Sequence, residues 1–495
     1  MTDTLAFGLF ATVLLGAVAV GEALRRWAGW PPEATRRVVH VGVGLATALC
    51  PPLFSGPGPI YALAAVFVVA NAIAAARGLV PSMHAVARRT WGTVIFPLAL
   101  IVALALTWSV DPARVFALQL AFAVLALADP AASWVGTGLA RPGRYLVDGQ
   151  AKSAAGSAAF ALVAAAIVVL ALGIWTPEGW TLWTVTAAVA SVAVLGTAAE
   201  ALGRGGWDNL AIVLVVAVAL VALHEHPESA GVALMGVAAG GVFVVGTLRT
   251  GVLTVSGALA GGVFAWMLIA LGGSAWAVPA LAFFVVSSVL SRVERRRREG
   301  AEALAEKGSR RDAGQVLANG GVGAALLALV AVAPADVSGR WTALAYVGFV
   351  GAFAAAAADT WATEIGTLVA GTTRTLGLGR RVPPGTSGGV SLGGTLGAVA
   401  GAVSVALAAA LVGGVGIRAA AGVTAAGVAA AFVDTLLGAT VQARYWRPDG
   451  ALTERTHDAG VAHRLAAGWR GVTNDRVNLA ATATGALLAM LLVRP

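Results

Sequence analysis

Apolar stretches of about 20 residues recur from one end of this chain to the other, separated by short polar segments. About 20 apolar residues are what an α-helix needs to cross the hydrocarbon core of a bilayer. The composition agrees with this, because 58% of the 495 residues are hydrophobic and only 12% are charged, whereas soluble domains carry about 25% charged residues. The sequence therefore predicts an all-α, polytopic integral membrane protein and excludes a string of soluble domains.

The apolar runs resolve into about sixteen predicted transmembrane helices, eight on each side of a polar turn. The first eight lie near residues 5–24, 38–54, 59–76, 91–108, 114–128, 153–173, 181–199 and 208–224. The second eight lie near residues 230–248, 252–270, 276–291, 314–333, 341–358, 388–413, 419–438 and 475–493. The turn, His224-Glu225-His226-Pro227-Glu228, predicts a boundary between two halves, residues 1–228 and 229–495. Its two histidines are interpreted as part of this connection rather than as metal ligands.

Basic residues are distributed unequally between the two sides of the membrane that this alternation defines. One side carries Arg25, Arg26, Arg36, Arg37, Arg88, Arg89, Arg141, Arg144, Lys152, Arg204, Arg295–Arg298, Arg310, Arg311, Arg380, Arg381 and Arg470. The other side carries Arg114, Arg340, Arg418 and Arg494. By the positive-inside rule the crowded side is cytoplasmic, so we expect a multi-pass protein of the cytoplasmic (inner) membrane. The net charge of +9 then reflects topology and does not indicate a nucleic-acid polymer as a partner.

Two further features limit the class of protein. The single cysteine, Cys50, excludes a disulfide framework and a cysteine-based metal cluster. No cleavable signal peptide is expected, since the first apolar run is not preceded by a basic segment. The longest hydrophilic stretch, residues 292–312, predicts a cytoplasmic helix whose Arg-rich start suits lipid headgroups.

Short motifs recur in the two halves in the same order, which indicates two related eight-helix modules. Residues 128–137 are echoed by residues 358–367, and Arg36-Arg37 is echoed by Arg310-Arg311. Farther along each half, residues 152–157 correspond to 386–391, and residues 204–209 correspond to 470–475. All of these motifs lie on the basic side, so each module is expected to have its own site facing the cytoplasm.

Carboxylates lie near the cytoplasmic ends of several predicted spans. A charged side chain within a membrane is costly, at about 2.5–3.5 kcal/mol when it lies at the centre of a helix. These carboxylates are Asp129, Glu200, Asp208, Asp359, Glu364, Asp434 and Asp475. Helix capping or pairing with arginine explains one or two of them. The others predict a site that holds a cation, since carboxylates with asparagine neighbours suit Mg²⁺. Asp208-Asn209 and Asn474-Asp475, with Asn478 one turn later, have this pattern.

Glycine, serine and threonine residues beside these acids are suited to binding phosphate. Gly385-Thr386-Ser387-Gly388-Gly389 presents backbone N–H groups and hydroxyls. A smaller version, Lys152-Ser153-x-x-Gly156-Ser157, opens a predicted helix, where the helix dipole favours an anion. Phosphate, Mg²⁺ and basic side chains together predict phosphoryl or nucleotidyl transfer, with a lipid acceptor that enters from the bilayer.

The N-terminal half resembles the polyprenol kinase family that includes phytol, farnesol and dolichol kinases, and is more distantly similar to CDP-diacylglycerol synthases. The resemblance covers about residues 5–225 and rests on Arg36-Arg37-x-x-His40, Gly92-Thr93-x-x-Phe96-Pro97, Asp129-x-Ala131-Ala132-Ser133-x-x-Gly136, Lys152-Ser153-x-x-Gly156-Ser157, and Glu200 followed by Asp208-Asn209. The sequence departs from the family at Ala128-Asp129-Pro130, where Gly-Asp-Ala is usual.

The C-terminal half, about residues 250–495, resembles the family of phytyl-phosphate kinase. The matching residues are Arg310-Arg311-Asp312-x-x-Gln315-Val316-x-x-Asn319-Gly320-Gly321, Asp359-Thr360-Trp361-Ala362-Thr363-Glu364-Ile365-Gly366, Pro384-Gly385-Thr386-Ser387-Gly388-Gly389-Val390, Asp434-Thr435-x-x-Gly438-x-x-x-Gln442 and Asn474-Asp475-x-x-Asn478. Together the two resemblances imply a fused salvage enzyme. It would phosphorylate a prenol (phytol, farnesol or geranylgeraniol type) and then the prenyl monophosphate, with Mg²⁺ and CTP or another nucleoside triphosphate.

Residue roles follow from these motifs. The predicted catalytic residues are Asp129, Lys152, Asp359, Glu364 and Asp434. The predicted nucleotide- and phosphate-binding residues are Arg36, Arg37, Ser153, Gly156, Ser157, Arg310, Arg311, Gly385, Thr386, Ser387, Gly388 and Gly389. The predicted metal ligands are Asp129, Asp208, Asn209, Asp359, Asn474, Asp475 and Asn478. His40 is either an aid to deprotonation of the alcohol or a packed or capping histidine.

Two other functions remain open from the sequence. One is a cytidylyltransferase that joins CMP to a lipid phosphate and releases pyrophosphate. The other is a transporter built from two repeats, although its sites would lie near the middle of the bilayer rather than at one surface. The prenol, the nucleotide and the oligomeric state are not determined by the sequence.

Overall fold

The computed structural model describes residues 2–77, 90–138, 143–293, 310–334, 338–369, 371–375, 379–383, 386–458 and 461–493. The predicted helix over 292–312 lies largely outside these ranges, as do Arg88, Arg89 and Arg141. Contacts divide the chain into two compact units. Unit 1 is Met1–Ala238 with Ala331–Pro334, and unit 2 is Ala239–Val330 with Ala335–Pro495.

Eight helices belong to unit 1 within the described residues, and a ninth continues past its end. They are α1 Asp3–Trp27, α2 Pro32–Leu49, α3 Gly58–Arg77, α4 Gly92–Leu106, α5 Val115–Gly138, α6 Ala154–Ile174, α7 Leu182–Leu202, α8 Asp208–Glu225 and α9 Ala230–Thr250. The polar turn predicted at 224–228 is present, because α8 ends at Glu225 and a 3₁₀ turn covers Pro227–Ser229. The division between the units falls inside α9.

The described part of unit 2 adds seven helices. They are α10 Val255–Met267, α11 Gly273–Val293, α12 Ala313–Ala331, α13 Ser338–Leu368, α14 Leu392–Leu411, α15 Ile417–Thr440 and α16 Asn474–Leu492. A π-helical turn, Leu268–Gly272, joins α10 to α11.

Each predicted span coincides with one helix, but the number of membrane-crossing helices is not confirmed as sixteen. In the described ranges, 12 helical segments are long and apolar enough to cross a bilayer. One of these, Val255–Ser291, contains two predicted spans. Three other helices do not reach this standard: α4 has only 15 residues, α2 carries three charged side chains in its first two turns, and α16 begins with polar residues. The protein is nevertheless mostly helical and multi-pass, as predicted.

One helix forms the centre of each unit. In unit 1 this is α5, which packs against α2, α6 and α8 and buries Leu118, Phe122 and Leu125 completely. In unit 2 it is α13, which packs against α14, α15 and α16. The buried run Ala354–Ala358 lets neighbouring backbones come close to α13, as small residues do between membrane helices.

Short strands join some of the helices, and the sequence did not predict them. In unit 1, β1 (Arg144–Val147) and β2 (Gln150–Ser153) form an antiparallel hairpin directly before α6. In unit 2, β3 (Thr373–Thr375) pairs with both β4 (Arg381–Val382) and β5 (Gly389–Val390) before α14. Five more strands lie between α15 and α16: β6 Arg444–Trp446, β7 Leu452–Thr453, β8 His457–Asp458, β9 Val461–Ala462 and β10 Arg464–Ala467.

Candidate active site

A cavity of about 740 Å³ opens in unit 1 where the ends of α2, α5, α7 and α8 meet the β1–β2 hairpin and the start of α6. This volume is in the range of small-molecule binding sites. Its lining includes nine of the residues predicted from the sequence: Arg36, Arg37, Asp129, Lys152, Ser153, Gly156, Ser157, Asp208 and Asn209. Residues more than 170 positions apart in the sequence therefore share one cavity, although their individual roles remain predictions.

Two glycines bring α5 and α6 into close contact at the wall of this cavity. A Cβ atom added to Gly156 would lie 2.8 Å from the carbonyl oxygen of Ala132 and 3.3 Å from the Cα of Gly136. Ser153 begins α6 by accepting a hydrogen bond from the Gly156 backbone N–H, at 3.0 Å. We call this arrangement the unit 1 corner. It explains why the motif needs glycine at position 156.

Lys152 reaches from strand β2 to the end of α7. Its Nζ donates to Glu200 Oε1 at 2.6 Å and to the Glu200 carbonyl oxygen at 2.9 Å. An ammonium group has three donor hydrogens, so one remains for a ligand. Lys152 and Glu200 neutralise each other at the cavity wall, with side chains 18% and 11% exposed.

His40 lies beside Asp129 but contacts the backbone more closely. Its Nε2 is 3.0 Å from the Leu125 carbonyl oxygen and 3.7 Å from Asp129 Oδ2. A carbonyl oxygen only accepts, so Nε2 carries the proton in this bond. That nitrogen cannot at the same time accept a proton from an alcohol, which favours a packing role for His40.

The start of α8 is fixed against the start of α4. The Asn209 side-chain amide donates to the Gly92 carbonyl oxygen at 2.9 Å, and Trp91 N–H donates to the Gly205 carbonyl oxygen at 2.8 Å. Gly206 has a φ of +98°, and a Cβ there would lie 2.3 Å from Gly92 atoms. These contacts hold Asp208 at the cavity.

The carboxylates of unit 1 fit a Mg²⁺ ion that keeps many non-protein ligands. Asp129 and Asp208 both line the cavity. Among the described residues no group of three or more His, Cys, Asp or Glu side chains is arranged to hold a metal. Mg²⁺ at nucleotide sites is usually bound by one or two carboxylates together with phosphates and water, so two acids are sufficient.

In unit 2 the residues Asp359, Asp434 and Asn478 come together from α13, α15 and α16. The Asp359 and Asp434 carboxyl groups lie close enough to interact with each other. When the Asn478 amide is oriented with its nitrogen as donor, it bonds to Asp434 Oδ2 at 3.0 Å and to the Asn474 carbonyl oxygen at 3.3 Å. Asp475 lies in the first turn of the same helix as Asn478. Three of the predicted residues therefore meet.

The unit 1 corner has a close counterpart in unit 2. Ser391 begins α14 and accepts a hydrogen bond from the Gly394 backbone N–H at 3.1 Å. A Cβ on Gly394 would lie 3.1 Å from the Ala362 carbonyl oxygen and 3.7 Å from the Cα of Gly366. The starts of α6 and α14 therefore share this local geometry, but the predicted register of residues 386–391 is wrong. Ser391, not Ser387, corresponds to Ser153, because the residue that caps the helix defines the match.

Other predicted residues of unit 2 make contacts with neighbouring segments of the same unit. Glu364 accepts a hydrogen bond from Ser291 of α11 at 2.8 Å, and the Arg310 guanidinium donates to the Leu253 carbonyl oxygen at 2.9 Å. Burial lowers the pKa of the neighbouring Arg311 guanidinium, since removal from water disfavours the charged form.

Two hydroxyl groups of the predicted phosphate-binding loop form hydrogen bonds with other residues of the protein. Ser387 Oγ donates to Glu454 Oε1 at 2.6 Å and accepts from the Gln442 side-chain amide at 3.4 Å, while Thr386 Oγ1 donates to the Pro383 carbonyl oxygen at 2.7 Å. Gly385 lies outside the described residues. Gly388 follows in a turn with a φ of +83°, and Gly389 begins β5.

Glu454 was missed from the sequence. It follows β7 in the segment between α15 and α16 and carries no motif. Gln442, which donates to the same Ser387 hydroxyl, belongs to the motif that begins at Asp434.

Comparisons with known proteins agree with this picture. The integral membrane protein family DUF92 matches residues 237–486, which is half of the chain. A phytol kinase from Synechocystis sp. is 32% identical over 211 residues, covering 42% of this chain and 88% of the kinase. No solved structure matches the chain significantly. The predicted likeness to phytol kinase is confirmed over that stretch. The chain belongs to the integral membrane protein family DUF92.

Proposed function

We propose that this protein is an integral membrane kinase for isoprenoid alcohols. The N-terminal half, residues 1–228, converts a prenol to its monophosphate, and the C-terminal half, residues 229–495, converts the monophosphate to the diphosphate. The donor is CTP or another nucleoside triphosphate with Mg²⁺. The observation that carries the proposal is the unit 1 cavity, which gathers basic, acidic and glycine-serine motif residues in a chain related to a phytol kinase.

Phosphoryl transfer depends mainly on positioning and on neutralising charge. Arg36, Arg37 and Lys152 supply positive charge at the cavity, and Asp129 and Asp208 would hold the Mg²⁺. The alcohol oxygen forms a bond to the terminal phosphorus, the bond to the bridging oxygen breaks, and the nucleoside diphosphate leaves. The hydroxyl proton passes to a carboxylate of the cavity. The prenyl chain stays in the bilayer, and the site faces the cytoplasm, where the nucleotide is found.

The acidic pair of unit 2 is the candidate centre of the second step. Asp434, which Asp359 and Asn478 orient, is the candidate base for the acceptor phosphate. Fusion keeps the monophosphate, an amphiphile, in the same membrane as its second kinase.

The test uses purified protein in lipid nanodiscs with Mg²⁺, a prenol and CTP labelled at either the α- or the γ-phosphate. A kinase transfers the γ-label to lipid and releases CDP. A cytidylyltransferase transfers the α-label and releases pyrophosphate. Prenol movement without nucleotide consumption would indicate a transporter, and either of these last two results refutes the proposal.

Variants separate the two steps. Asp129→Asn is expected to abolish phosphorylation of the prenol while added monophosphate is still converted, and Asp359→Asn is expected to do the reverse. Retention of both steps in both variants would show that the assigned residues are wrong.

A further inference from the structure

The β1–β2 hairpin is one wall of the unit 1 cavity, because Arg144 and residues 150–153 line it. Its two-residue turn, Asp148-Gly149, has φ values of 47° and 81°, as a type I′ hairpin turn requires. A hairpin of two short strands is marginally stable alone. Contacts with the rest of unit 1 must therefore fix its position.

Three side-chain contacts tie the hairpin to the helices around it. Near its base, Tyr145 Oη is 2.7 Å from Ser157 Oγ of α6. At strand β2, Lys152 bonds to Glu200. At the tip, the Arg204 guanidinium bonds to the Asp148 carboxylate, with Nη2 2.9 Å from Oδ2, and also to the Asp148 carbonyl oxygen. Arg204 therefore contacts the tip through both the side chain and the backbone of Asp148.

Backbone hydrogen bonds on both sides of Arg204 fix its position. Arg204 follows α7, whose end is closed by the Gly203 N–H bonding to the Ala199 carbonyl oxygen at 3.0 Å. The next residue, Gly205, is held by Trp91. The end of α7 and the residues that follow it therefore contact the hairpin at two places. Glu200 bonds to Lys152, and Arg204 bonds to Asp148.

We propose that Arg204 is a positioning residue, which acts through Asp148 to set where the Lys152 ammonium lies in the cavity. The inference rests on the proposed function of unit 1. Exposed ion pairs contribute little to stability, and the Arg204 side chain is 46% exposed. A misplacement of about 1 Å in a catalytic group, however, costs about 100-fold in rate. Removal of Arg204 should therefore impair the reaction far more than the fold.

A double-mutant cycle tests the coupling between Arg204 and Lys152. Arg204→Gln is expected to lower kcat/KM for the nucleotide in prenol phosphorylation by about 10- to 100-fold, with partial recovery in Arg204→Lys. In a Lys152→Met background the same change is expected to have no further effect, since no ammonium is left to position. An equal loss in both backgrounds would overturn the proposal.

Amide hydrogen exchange gives a second measurement that needs no activity. Arg204→Gln is expected to speed exchange of the hairpin amides at least several-fold. The matched control is Arg25→Gln, which removes an arginine paired with Glu22 on α1, away from the cavity lining, and should leave the hairpin unchanged. Unchanged exchange in Arg204→Gln refutes the role of Arg204 whatever the reaction. Faster exchange in a protein that does not phosphorylate prenols refutes only the kinase.

Discussion

Gly156→Ala is the most direct test of the unit 1 corner. The new methyl group would lie 2.8 Å from the Ala132 carbonyl oxygen, 3.0 Å from Ser153 Oγ and 3.3 Å from the Gly136 Cα. The first contact involves backbone, which cannot rotate away, so α5 and α6 must separate. Overpacking of this kind costs about 1–3 kcal/mol.

The same helix offers a matched control in Gly173→Ala. Nothing lies within 4 Å of a Cβ at Gly173. Both substitutions gain a similar stabilisation from replacing glycine in a helix, about 0.5–1 kcal/mol. The difference between the two variants therefore reports the clash alone, about 1–3 kcal/mol.

Thermal unfolding in detergent, followed by tryptophan fluorescence, measures this difference. At about 2–4 °C per kcal/mol for a unit of this size, Gly156→Ala should unfold about 2–12 °C below Gly173→Ala. It should also lose prenol phosphorylation and keep conversion of added monophosphate, because the corner belongs to unit 1. Equal melting temperatures and equal rates in the two variants would refute the close contact.

Three further predictions concern the same two sites. A Cβ at Gly394 would lie 3.1 Å from its nearest atoms, so Gly394→Ala should destabilise the protein less than Gly156→Ala does. In a lipid product assay it should slow only the second phosphorylation. A loss confined to the first step would contradict the correspondence between the two corners. Lys152→Met leaves a buried carboxylate without its cation and should cost about 3–5 kcal/mol. Adding Glu200→Gln should restore the melting temperature but leave phosphorylation at the low residual rate of Lys152→Met; a return to the wild-type rate would show that the ammonium is not needed. Asn478→Ala removes a hydrogen bond to Asp434, and hydrogen bonds to charged groups contribute about 1.5–3 kcal/mol. The substitution should raise the ratio of monophosphate to diphosphate product. An unchanged ratio would show that Asn478 has no part in the second step.

The helices were predictable because a bilayer demands a fixed length of apolar chain. All of the predicted spans coincide with helices. The helices that were predicted to cross the membrane but do not meet the requirements for a span are either too short or too polar at their start. The α4 helix, at 15 residues, is about 22 Å long at 1.5 Å per residue, which is shorter than the hydrocarbon core. The strands were not predicted, since segments of two to four residues, such as β5 and β1, are too short to show an alternating pattern.

Among the described residues, nine predicted residues line one cavity in unit 1, whereas three meet in unit 2, and the difference has a physical reason. In unit 1 several of the motif residues, such as Ser153 and Asp208, lie at the start of a helix, and helix ends can be located from the apolar pattern. In unit 2 the loop that contains Ser387 is rich in glycine and serine, and composition alone does not show which serine caps α14. The register was therefore set four residues too early, at Ser387 rather than Ser391. Glu454 could not be found because its contact with Ser387 depends on how the strands between α15 and α16 fold.

The two corners share a scaffold but differ in charge, and this difference comes from the strands rather than from the helices. Lys152 directly precedes the capping Ser153 and pairs across its hairpin with Tyr145. The equivalent position before Ser391 is Val390, and the residue paired with it across the sheet is Arg374. The acid near the end of the following helix also has different neighbours. Glu200 bonds to an ammonium, whereas Asp434 accepts from the Asn478 amide and lies beside Asp359. Close helix packing thus fixes where the groups lie, and the flanking strands determine which charged side chains lie beside them. Under the proposed function, this difference would allow the two units to act on acceptors of different charge.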